Sequence, residues 1–357
     1  MTGSISSRLL AWYGGRDRDV PWRGDTDPYR VWVAEVMAQQ TRIDTVRGYH
    51  RAFLERFPDI QTLAGASLDE VLTAWQGLGY YSRARNLHAT AERLVADRGG
   101  VFPETAAELM ELPGIGRYTA GAIASFAFGE ASPAVDGNAR RVLARVFDLA
   151  GTTPAALDAA ARALLADAPG HAADLNQALM DLGGDVCSAR SPRCDVCPLR
   201  GACLALANGT RGERPFRPPR KTRPRRAVAA AAVRRRGRVL MIRRPVDGLL
   251  GGLWDLPWVE LDADSDAEAS LTAKLETSYG IVVRIAGRLA EIDHVFSHFR
   301  LRLEVFSGVC AGGAAPASDA SVWLQPHDLG SVATPTYLRT VIPLLTRHTG
   351  GAAAASL

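Results

Sequence analysis

The sequence predicts a multidomain protein in which an all-α N-terminal part precedes an α+β C-terminal domain. As far as about residue 209, apolar residues recur at helical spacing, and clusters of Gly and Pro separate the runs. From residue 227 onwards, strand-like segments broken by Gly-rich turns replace that pattern. Residues 210–226 combine frequent proline with eight Arg or Lys and one Glu, which indicates a basic, solvated linker that could also contact phosphates or partner proteins.

The N-terminal helices are predicted from their ends as well as from their periodicity. The segments ASLDEVLTAWQGLG and TAAELMELPG each begin with a capping residue and finish at glycine. In the C-terminal part, AVAAAAVRRRGRVLMIRR and FRLRLEVFSGV are typical of strands, and DAEASLTAKLETSYG is typical of a helix. We therefore predict a helical domain over 1–209, the linker 210–226, an α+β domain over 227–346 and a frayed tail over 347–357.

Composition excludes several classes of protein. The 357 residues are 47% hydrophobic and 22% charged, which rules out wholesale disorder. No apolar run approaches the roughly 18 residues that a membrane span needs, and no charged leader precedes an apolar core near the start. We expect a cytoplasmic protein with no membrane association, and the formal charge of +4 is compatible with acidic partners.

Four cysteines stand close together with the spacing C-x6-C-x2-C-x5-C, at Cys187, Cys194, Cys197 and Cys203. Thiols this close in a cytoplasmic chain indicate a metal centre. Zinc ligands usually lie two to four residues apart, so gaps of six and five fit zinc poorly. Four thiolates can also hold a [4Fe–4S] cluster, although this is not the spacing of bacterial ferredoxins. The spacing favours a cluster and leaves zinc and unligated thiols as alternatives.

Two short motifs carry further chemistry. LPGIGRYTAG (112–121) places Gly114 and Gly116 before a predicted helix, where free backbone N–H groups could bind a backbone phosphate. A tight turn between helices would explain the same glycines. Twenty residues beyond Gly116, Asp136 precedes the predicted helix NARRVLARVF, and its simplest role is that of an N-cap.

Taken together, the hairpin, the aspartate and the cysteine spacing resemble the endonuclease III superfamily of DNA glycosylases. Four further segments are similar to adenine DNA glycosylases of the MutY type: VPWR (20–23), AEVMAQQTRIDTV (34–46), GLGYYSRARNL (77–87) and HVFSHFRL (294–301). The resemblance runs from about residue 5 to about residue 345. It implies a helix–hairpin–helix glycosylase domain whose loop 187–203 holds a [4Fe–4S] cluster, followed by a Nudix-like domain that contains GGLWDLPWVEL (251–261).

The implied activity is hydrolysis of the N-glycosidic bond of adenine paired with 8-oxoguanine or guanine in double-stranded DNA. The base must leave the duplex to be reached, and its departure needs an acid on the base and an anion near the sugar cation. Glu35 lies in the apolar stretch VWVAEVMA, where burial would raise its pKa and keep it protonated. The resemblance makes Glu35 the acid and Asp136 the stabilising carboxylate, assisted by Asn138 and Tyr118.

The remaining site residues are implied by the resemblance alone. They form three groups: an adenine pocket, residues that enter the base stack, and a loop that reads 8-oxoguanine. The adenine pocket comprises Arg18, Trp22, Arg23 and Gln177. The residues that enter the base stack are Gln40, Leu78 and Tyr80, and the loop that reads 8-oxoguanine contains Phe296, Ser297 and His298. Trp22 and Leu78 could equally be core residues, and Ser297 could merely cap a turn.

The lysine content distinguishes a glycosylase that only releases the base from one that also cuts the strand. Glycosylases that also cut the strand use an amine nucleophile, but the only lysines are Lys221 and Lys274, and Tyr118 occupies the matching place in the hairpin helix. We therefore predict a monofunctional enzyme. The resemblance further implies a monomeric, nucleoid-associated bacterial enzyme whose linker contacts repair partners. The alternatives are an endonuclease III-type pyrimidine glycosylase and AP lyase, a Nudix hydrolase and a DNA-binding module. A Nudix hydrolase needs several glutamates to hold Mg²⁺, and only Glu276 lies near the expected position.

Overall fold

The computed structural model describes residues 3–16, 20–216, 222–262, 264–313 and 319–347. The predicted pocket residue Arg18 and the predicted frayed tail beyond residue 347 lie outside these ranges. The chain divides into two compact units, one formed by Met1–Ala66 with Arg85–Pro219 and the other by Ser67–Ala84 with Arg220–Leu357. The predicted fold class is confirmed, because the described residues before Arg225 contain helices and no strand.

The N-terminal part of the chain is built from short helices joined by turns. They are α1 (Ile5–Gly14), α2 (Pro28–Ala38), α3 (Ile43–Arg56), α4 (Ile60–Gly65), α5 (Leu68–Ala74), α6 (Ser82–Arg98), α7 (Ala106–Leu109), α8 (Arg117–Phe128), α9 (Gly137–Val146), α10 (Pro154–Ala166), α11 (Ala172–Asp185) and α12 (Leu204–Ala207). Helix α5 and the start of α6 belong to the second unit.

Local sequence explains where these helices begin. Asp27 accepts hydrogen bonds from two backbone N–H groups of α2, and proline occupies the first position of that helix. Ser67 and Glu70 form a reciprocal capping box at the start of α5, as the capping signal in the sequence predicts. The predicted helix after Thr105 is present, but α7 is only one turn long. Leu9, Leu143 and Leu175 bring α1, α9 and α11 into one fully buried core.

The second unit contains a mixed sheet. Its strands are β1 (Arg225–Arg235), β2 (Arg238–Arg243), β3 (Trp254–Asp255), β4 (Trp258–Leu261), β5 (Ile281–Val295), β6 (Arg300–Gly313) and β7 (Ser321–Leu324), with helices α13 (Ala267–Tyr279) and α14 (Ile342–Arg347). Strand β1 runs parallel to β6 and antiparallel to β2 and β4. Strand β5 pairs with β6, while β3 and β7 pair with β2, all antiparallel.

Both faces of β1 are buried, which explains its run of alanines. Ala230 and Ala232 belong to the core that contains Trp254, whereas Ala229 and Ala231 belong to the core that contains Leu271 of α13. A strand covered on both sides is apolar along its length instead of alternating. Among the described residues, no helix combines the length and apolar character needed to cross a bilayer.

Candidate active site

Glu35 lies in the middle of α2 and is 5% exposed. Every residue from Val31 to Met37 is buried, so this part of the helix has no face on the protein surface. Burial raises the pKa of Glu35, although a hydrogen bond from Tyr118 and the charge of Arg23 oppose the rise. The Tyr118 hydroxyl donates to Oε2 of Glu35. The burial of Glu35 expected from the apolar sequence is present, and its role as a proton donor stays a prediction.

Asp136 is the N-cap of α9, and its Oδ1 accepts a hydrogen bond of 2.6 Å from the N–H of Ala139. Burial raises the pKa of Asp136, while backbone N–H groups of Ala139 and Asn138 and the charge of Arg141 lower it. The capping role considered from the sequence is therefore real. It also fits a catalytic role, because the donors that cap the helix stabilise the carboxylate form.

Both carboxyl groups line one cavity of about 1190 Å³ in the helical unit. This cavity brings together most of the predicted residues of that unit: Trp22, Arg23, Glu35, Gln40, Gly114, Gly116, Tyr118, Asp136 and Asn138. Gln177 is not among the lining residues. It is buried on α11, and its Oε1 accepts a hydrogen bond from the Tyr13 hydroxyl. Its place in an adenine pocket stays a prediction.

A cation stands close to both carboxyl groups. Arg23 Nη2 lies 2.7 Å from Oδ1 of Asp181, and both side chains are mostly buried. The charge of Arg23 lowers the pKa of Glu35 and of Asp136. Asp181 lines the same cavity, yet the sequence analysis did not single it out. Its only sequence signal is an acidic residue four positions after Gln177, on the same helical face.

Arg141 was also missed, and it connects Asn138 to the start of the cysteine loop. Its Nη2 donates to Oδ1 of Asn138 at 2.8 Å and to the carbonyl of Gly183 at 2.5 Å. Its Nε donates to the carbonyl of Cys187 at 2.7 Å. A Cβ on Gly183 would lie 2.7 Å from the Asn138 carbonyl oxygen, so glycine is required where α11 meets α9.

The hairpin before α8 has the glycine geometry that the motif predicts. Gly114 has a φ of +73°, and a Cβ there would lie 2.5 Å from the side chain of Asn86. Gly116 is the N-cap of α8, and no side chain caps that end of the helix. The first turn of α8 therefore presents backbone N–H groups at the positive end of the helix dipole, as an anion site requires.

Two of the residues predicted to enter the base stack have unusual backbones. Gln40 has a φ of 56° and Tyr80 a φ of 49°, although neither is glycine. Left-handed backbone in such residues is strained and concentrates at functional sites. Tyr80 is 44% exposed, whereas Leu78 is buried, and Arg83 donates hydrogen bonds to the carbonyls of Leu78 and Gly79. These hydrogen bonds from the Arg83 side chain stabilise the turn that carries the partly exposed Tyr80 ring.

The predicted lesion-reading residues lie at the tip of the β5–β6 hairpin, where Val295 pairs with Arg300. The ring of Phe296 stacks on that of Phe299 with centroids 4.6 Å apart. Ser297 and His298 are exposed, and Oγ of Ser297 lies 3.2 Å from Nδ1 of His298. The stacked rings of Phe296 and Phe299 thus support two exposed polar side chains, Ser297 and His298.

The four clustered cysteines line a single cavity with apolar side chains from α9 and α11. None of the four forms a disulfide, and burial raises the pKa of Cys197 to about 11. Arg145 is 4% exposed and its Nη1 lies 3.3 Å from Sγ of Cys187. Nη1 of Arg211 lies 3.5 Å from Sγ of Cys194. Within the described ranges, no three Cys, His, Asp or Glu side chains form a group that could hold one metal ion.

Comparison with known proteins identifies the two kinds of domain in this chain. Residues 33–166 match the family model described as HhH-GPD superfamily base excision DNA repair protein, and residues 228–344 match that of the NUDIX domain. The structure of a thermostable thymine-DNA glycosylase matches with a TM-score of 0.53 and 27% identity, covering 57% of this chain and 95% of that chain. An endonuclease III–DNA complex shares the fold with a TM-score of 0.50 and 24% identity, over 58% of this chain and 95% of that one.

Relatives then give the particular family. The adenine DNA glycosylase of Mus musculus is 36% identical over 408 residues, covering 98% of this chain and 79% of the mouse protein. The adenine DNA glycosylase of Homo sapiens is 35% identical over 395 residues, covering 93% of this chain and 72% of the human protein. The chain belongs to the adenine DNA glycosylase family, which confirms the resemblance seen in the sequence.

Proposed function

We propose that this protein hydrolyses the N-glycosidic bond of adenine in double-stranded DNA, where adenine is paired with 8-oxoguanine or, less efficiently, with guanine. The observation that carries the proposal is the pair of carboxyl groups in one cavity, Glu35 buried at mid-helix and Asp136 at a helix N-terminus. Membership of the adenine DNA glycosylase family supports adenine as the base. The identity of the opposite base comes from the resemblance to the MutY type.

The two carboxyl groups suit different steps. Glu35 acts as the acid and protonates the flipped adenine at N7, since burial keeps its pKa high. Its Oε2 receives the hydrogen bond from Tyr118, so the other carboxyl oxygen carries the proton to the base. Asp136 acts as a carboxylate and stabilises the oxocarbenium-like sugar, because N–H groups of α9 favour its charged form. Asn138 and Tyr118 assist around that sugar.

The enzyme is proposed to be monofunctional. Strand cutting by a glycosylase needs an amine that forms a Schiff base with the sugar. Lys274 lies on α13 in the second unit, and Lys221 lies outside the described residues. The hairpin helix offers the Tyr118 hydroxyl in place of an amine. This argues against the endonuclease III-type glycosylase and lyase.

The surrounding residues are proposed to bind the substrate. Gly114 and Gly116 seat a DNA phosphate on the first turn of α8. Gln40, Leu78 and Tyr80 enter the stack where the base has left, which offsets part of the cost of unstacking. The adenine pocket consists of Arg18, Trp22, Arg23 and Gln177. Phe296, Ser297 and His298 read the opposite base, since 8-oxoguanine differs from guanine by its N7–H and O8, which a hydroxyl can distinguish.

We propose that the cysteine-lined cavity holds a [4Fe–4S] cluster. Gaps of six and five residues between the cysteines are longer than the two to four residues usual between zinc ligands, which favours the cluster over zinc. Cys187, Cys194, Cys197 and Cys203 would each bind one iron, and Arg145 donates toward a sulfur as thiolates require. The cluster would shape the loop that presents Arg190, Arg193 and Arg200 to DNA phosphates.

The domain assignment follows from these roles. We propose that 1–209 is the catalytic domain, 227–346 a catalytically silent Nudix-like domain for recognition, and 210–226 a basic linker. The linker is proposed to contact DNA phosphates or repair partners. The enzyme would work as a monomer on the bacterial nucleoid in the cytoplasm.

The test is a single-turnover assay on a labelled duplex with one adenine opposite 8-oxoguanine, beside Glu35→Gln as an isosteric control. Strand breaks that appear only after hot alkali, and that disappear in the control, are expected. Breaks without alkali would overturn the monofunctional assignment. An intact duplex despite tight binding would overturn the enzymatic one.

A further inference from the structure

The loop that leads into Asp136 is held by a buried side chain that the mechanism does not use. Asn176 lies on α11 and is 1% exposed. Its Oδ1 accepts from the N–H of Ala134 at 3.0 Å, and its Nδ2 donates to the carbonyl of Ser132 at 2.9 Å. Both loop residues are buried. One side-chain amide therefore closes two backbone hydrogen bonds within four residues of Asp136.

A second contact fixes the orientation of this amide. Nδ2 of Asn176 also donates to Oγ of Ser125 at 2.9 Å, and that hydroxyl donates to the carbonyl of Gly121 at 2.6 Å. Turning the amide over would place Nδ2 against the N–H of Ala134 and Oδ1 against the Ser132 carbonyl. Only one orientation of the amide satisfies every donor and acceptor. Because these groups are buried, the flipped orientation would leave unpaired polar atoms.

The loop is also pressed against α8. A Cβ on Gly121 would lie 2.0 Å from the carbonyl oxygen of Pro133, so backbone meets backbone there. Val135 alone separates Ala134 from Asp136, and beyond Asp136 the helix cap on Ala139 begins. The Asp136 backbone is thus fixed on both sides, by Asn176 before it and by α9 after it.

We propose that Asn176 is a positioning residue for catalysis, which holds Asp136 at the distance from the sugar that stabilisation of its cation requires. This inference rests on the proposed function and deepens it. Displacing a catalytic group by about 1 Å can lower a rate by about 100-fold without altering binding elsewhere. The expected signature is a loss of rate with retained affinity for DNA.

The experiment compares the full chain with Asn176→Leu, which keeps a similar volume without polar groups. Ser6→Ala is the matched control, because Ser6 is equally buried and donates to the Leu164 carbonyl at 2.9 Å. Single-turnover rates are measured on adenine opposite 8-oxoguanine. Affinity is measured on the same duplex with 2′-fluoro-2′-deoxyadenosine, whose fluorine suppresses cleavage.

Asn176→Leu is expected to react about 10 to 100 times more slowly, with affinity within about threefold of the unmodified chain. Ser6→Ala should lower the melting temperature and keep its rate. If Asn176→Leu fails to fold, Ser125→Ala removes one partner of the amide and should slow the reaction about 3- to 10-fold. A folded variant with an unchanged rate, or with rate and affinity reduced together, would overturn the positioning role alone. An unmodified chain that releases no adenine would overturn the proposed function as well.

Discussion

Replacing Tyr118 by phenylalanine tests how the acid is tuned. The Tyr118 hydroxyl donates to Glu35, and this bond lowers the pKa of Glu35 against the larger effect of burial. Removing the donor takes away stabilisation of the carboxylate and leaves burial in place. The pKa of Glu35 must then rise further, so Glu35 stays protonated to higher pH.

The magnitude follows from the kind of bond that is lost. A hydrogen bond to a charged acceptor contributes about 1.5–3 kcal/mol. Since one pKa unit corresponds to about 1.36 kcal/mol, the pKa of Glu35 should rise by roughly one to two units. The alkaline limb of the pH–rate profile, where the acid loses its proton, should move up by the same amount.

The assay measures single-turnover adenine release with saturating enzyme from about pH 5 to pH 10, because the position of the limb is independent of the maximal rate. Tyr29→Phe is the control, since Tyr29 lies on the same helix and its hydroxyl donates to the Phe57 carbonyl at 2.6 Å. It should lose stability without moving the limb. An alkaline limb that stays in place or moves down in Tyr118→Phe would refute this account of Glu35.

Three further predictions follow from single contacts. Glu35→Gln should raise the melting temperature. The folded chain holds the Glu35 proton more tightly than the unfolded chain, so the stability of the unmodified protein falls as pH rises above the ordinary pKa near 4.5. The increase in melting temperature caused by the substitution should therefore grow with pH. A gain independent of pH would contradict this. Gly114→Ala should cost about 1–2 kcal/mol in urea unfolding and weaken binding to duplex, because its φ is +73°, whereas Gly151→Ala, with open space around it, should do neither. Ser297→Ala should reduce the preference for 8-oxoguanine over guanine by roughly 2- to 10-fold in competition assays, and equal losses on both duplexes would exclude Ser297 as the reader.

The sequence predicts those parts of the site that depend on local pattern. Glu35 stands in an apolar helix, and Asp136 stands directly before the amphipathic helix α9, so burial of the first and capping by the second follow from neighbours along the chain. Asp181, Arg141 and Asn176 could not be found in this way. Asp181 pairs with Arg23, 158 residues away, while Arg141 reaches Gly183 and Asn176 reaches Ala134, each 42 residues away. Only tertiary packing brings these partners together.

In the second unit, too, local sequence predicts the elements but not their pairing. The strands and α13 follow from periodicity and turn residues, whereas the parallel pairing of β1 with β6 joins segments separated by the whole of β2 to β5. No local signal specifies that pairing. The alanine run of β1 has a reason only once both faces of the strand are covered.

The division of labour between the two carboxyl groups follows from their places along a helix. At mid-helix, backbone N–H groups are already bonded to carbonyls one turn earlier, so Glu35 finds no backbone donor and burial governs its pKa. At the start of α9 those N–H groups are unused, and Asp136 receives them together with the positive end of the helix dipole. Burial raises the pKa of both groups, but only Asp136 has backbone N–H donors that favour its anion, whereas Glu35 has the single side-chain donor Tyr118. A site that must donate a proton and stabilise a cation at one pH needs this difference. The fold supplies it through helix position, and Arg23, held by Asp181, acts on both groups alike.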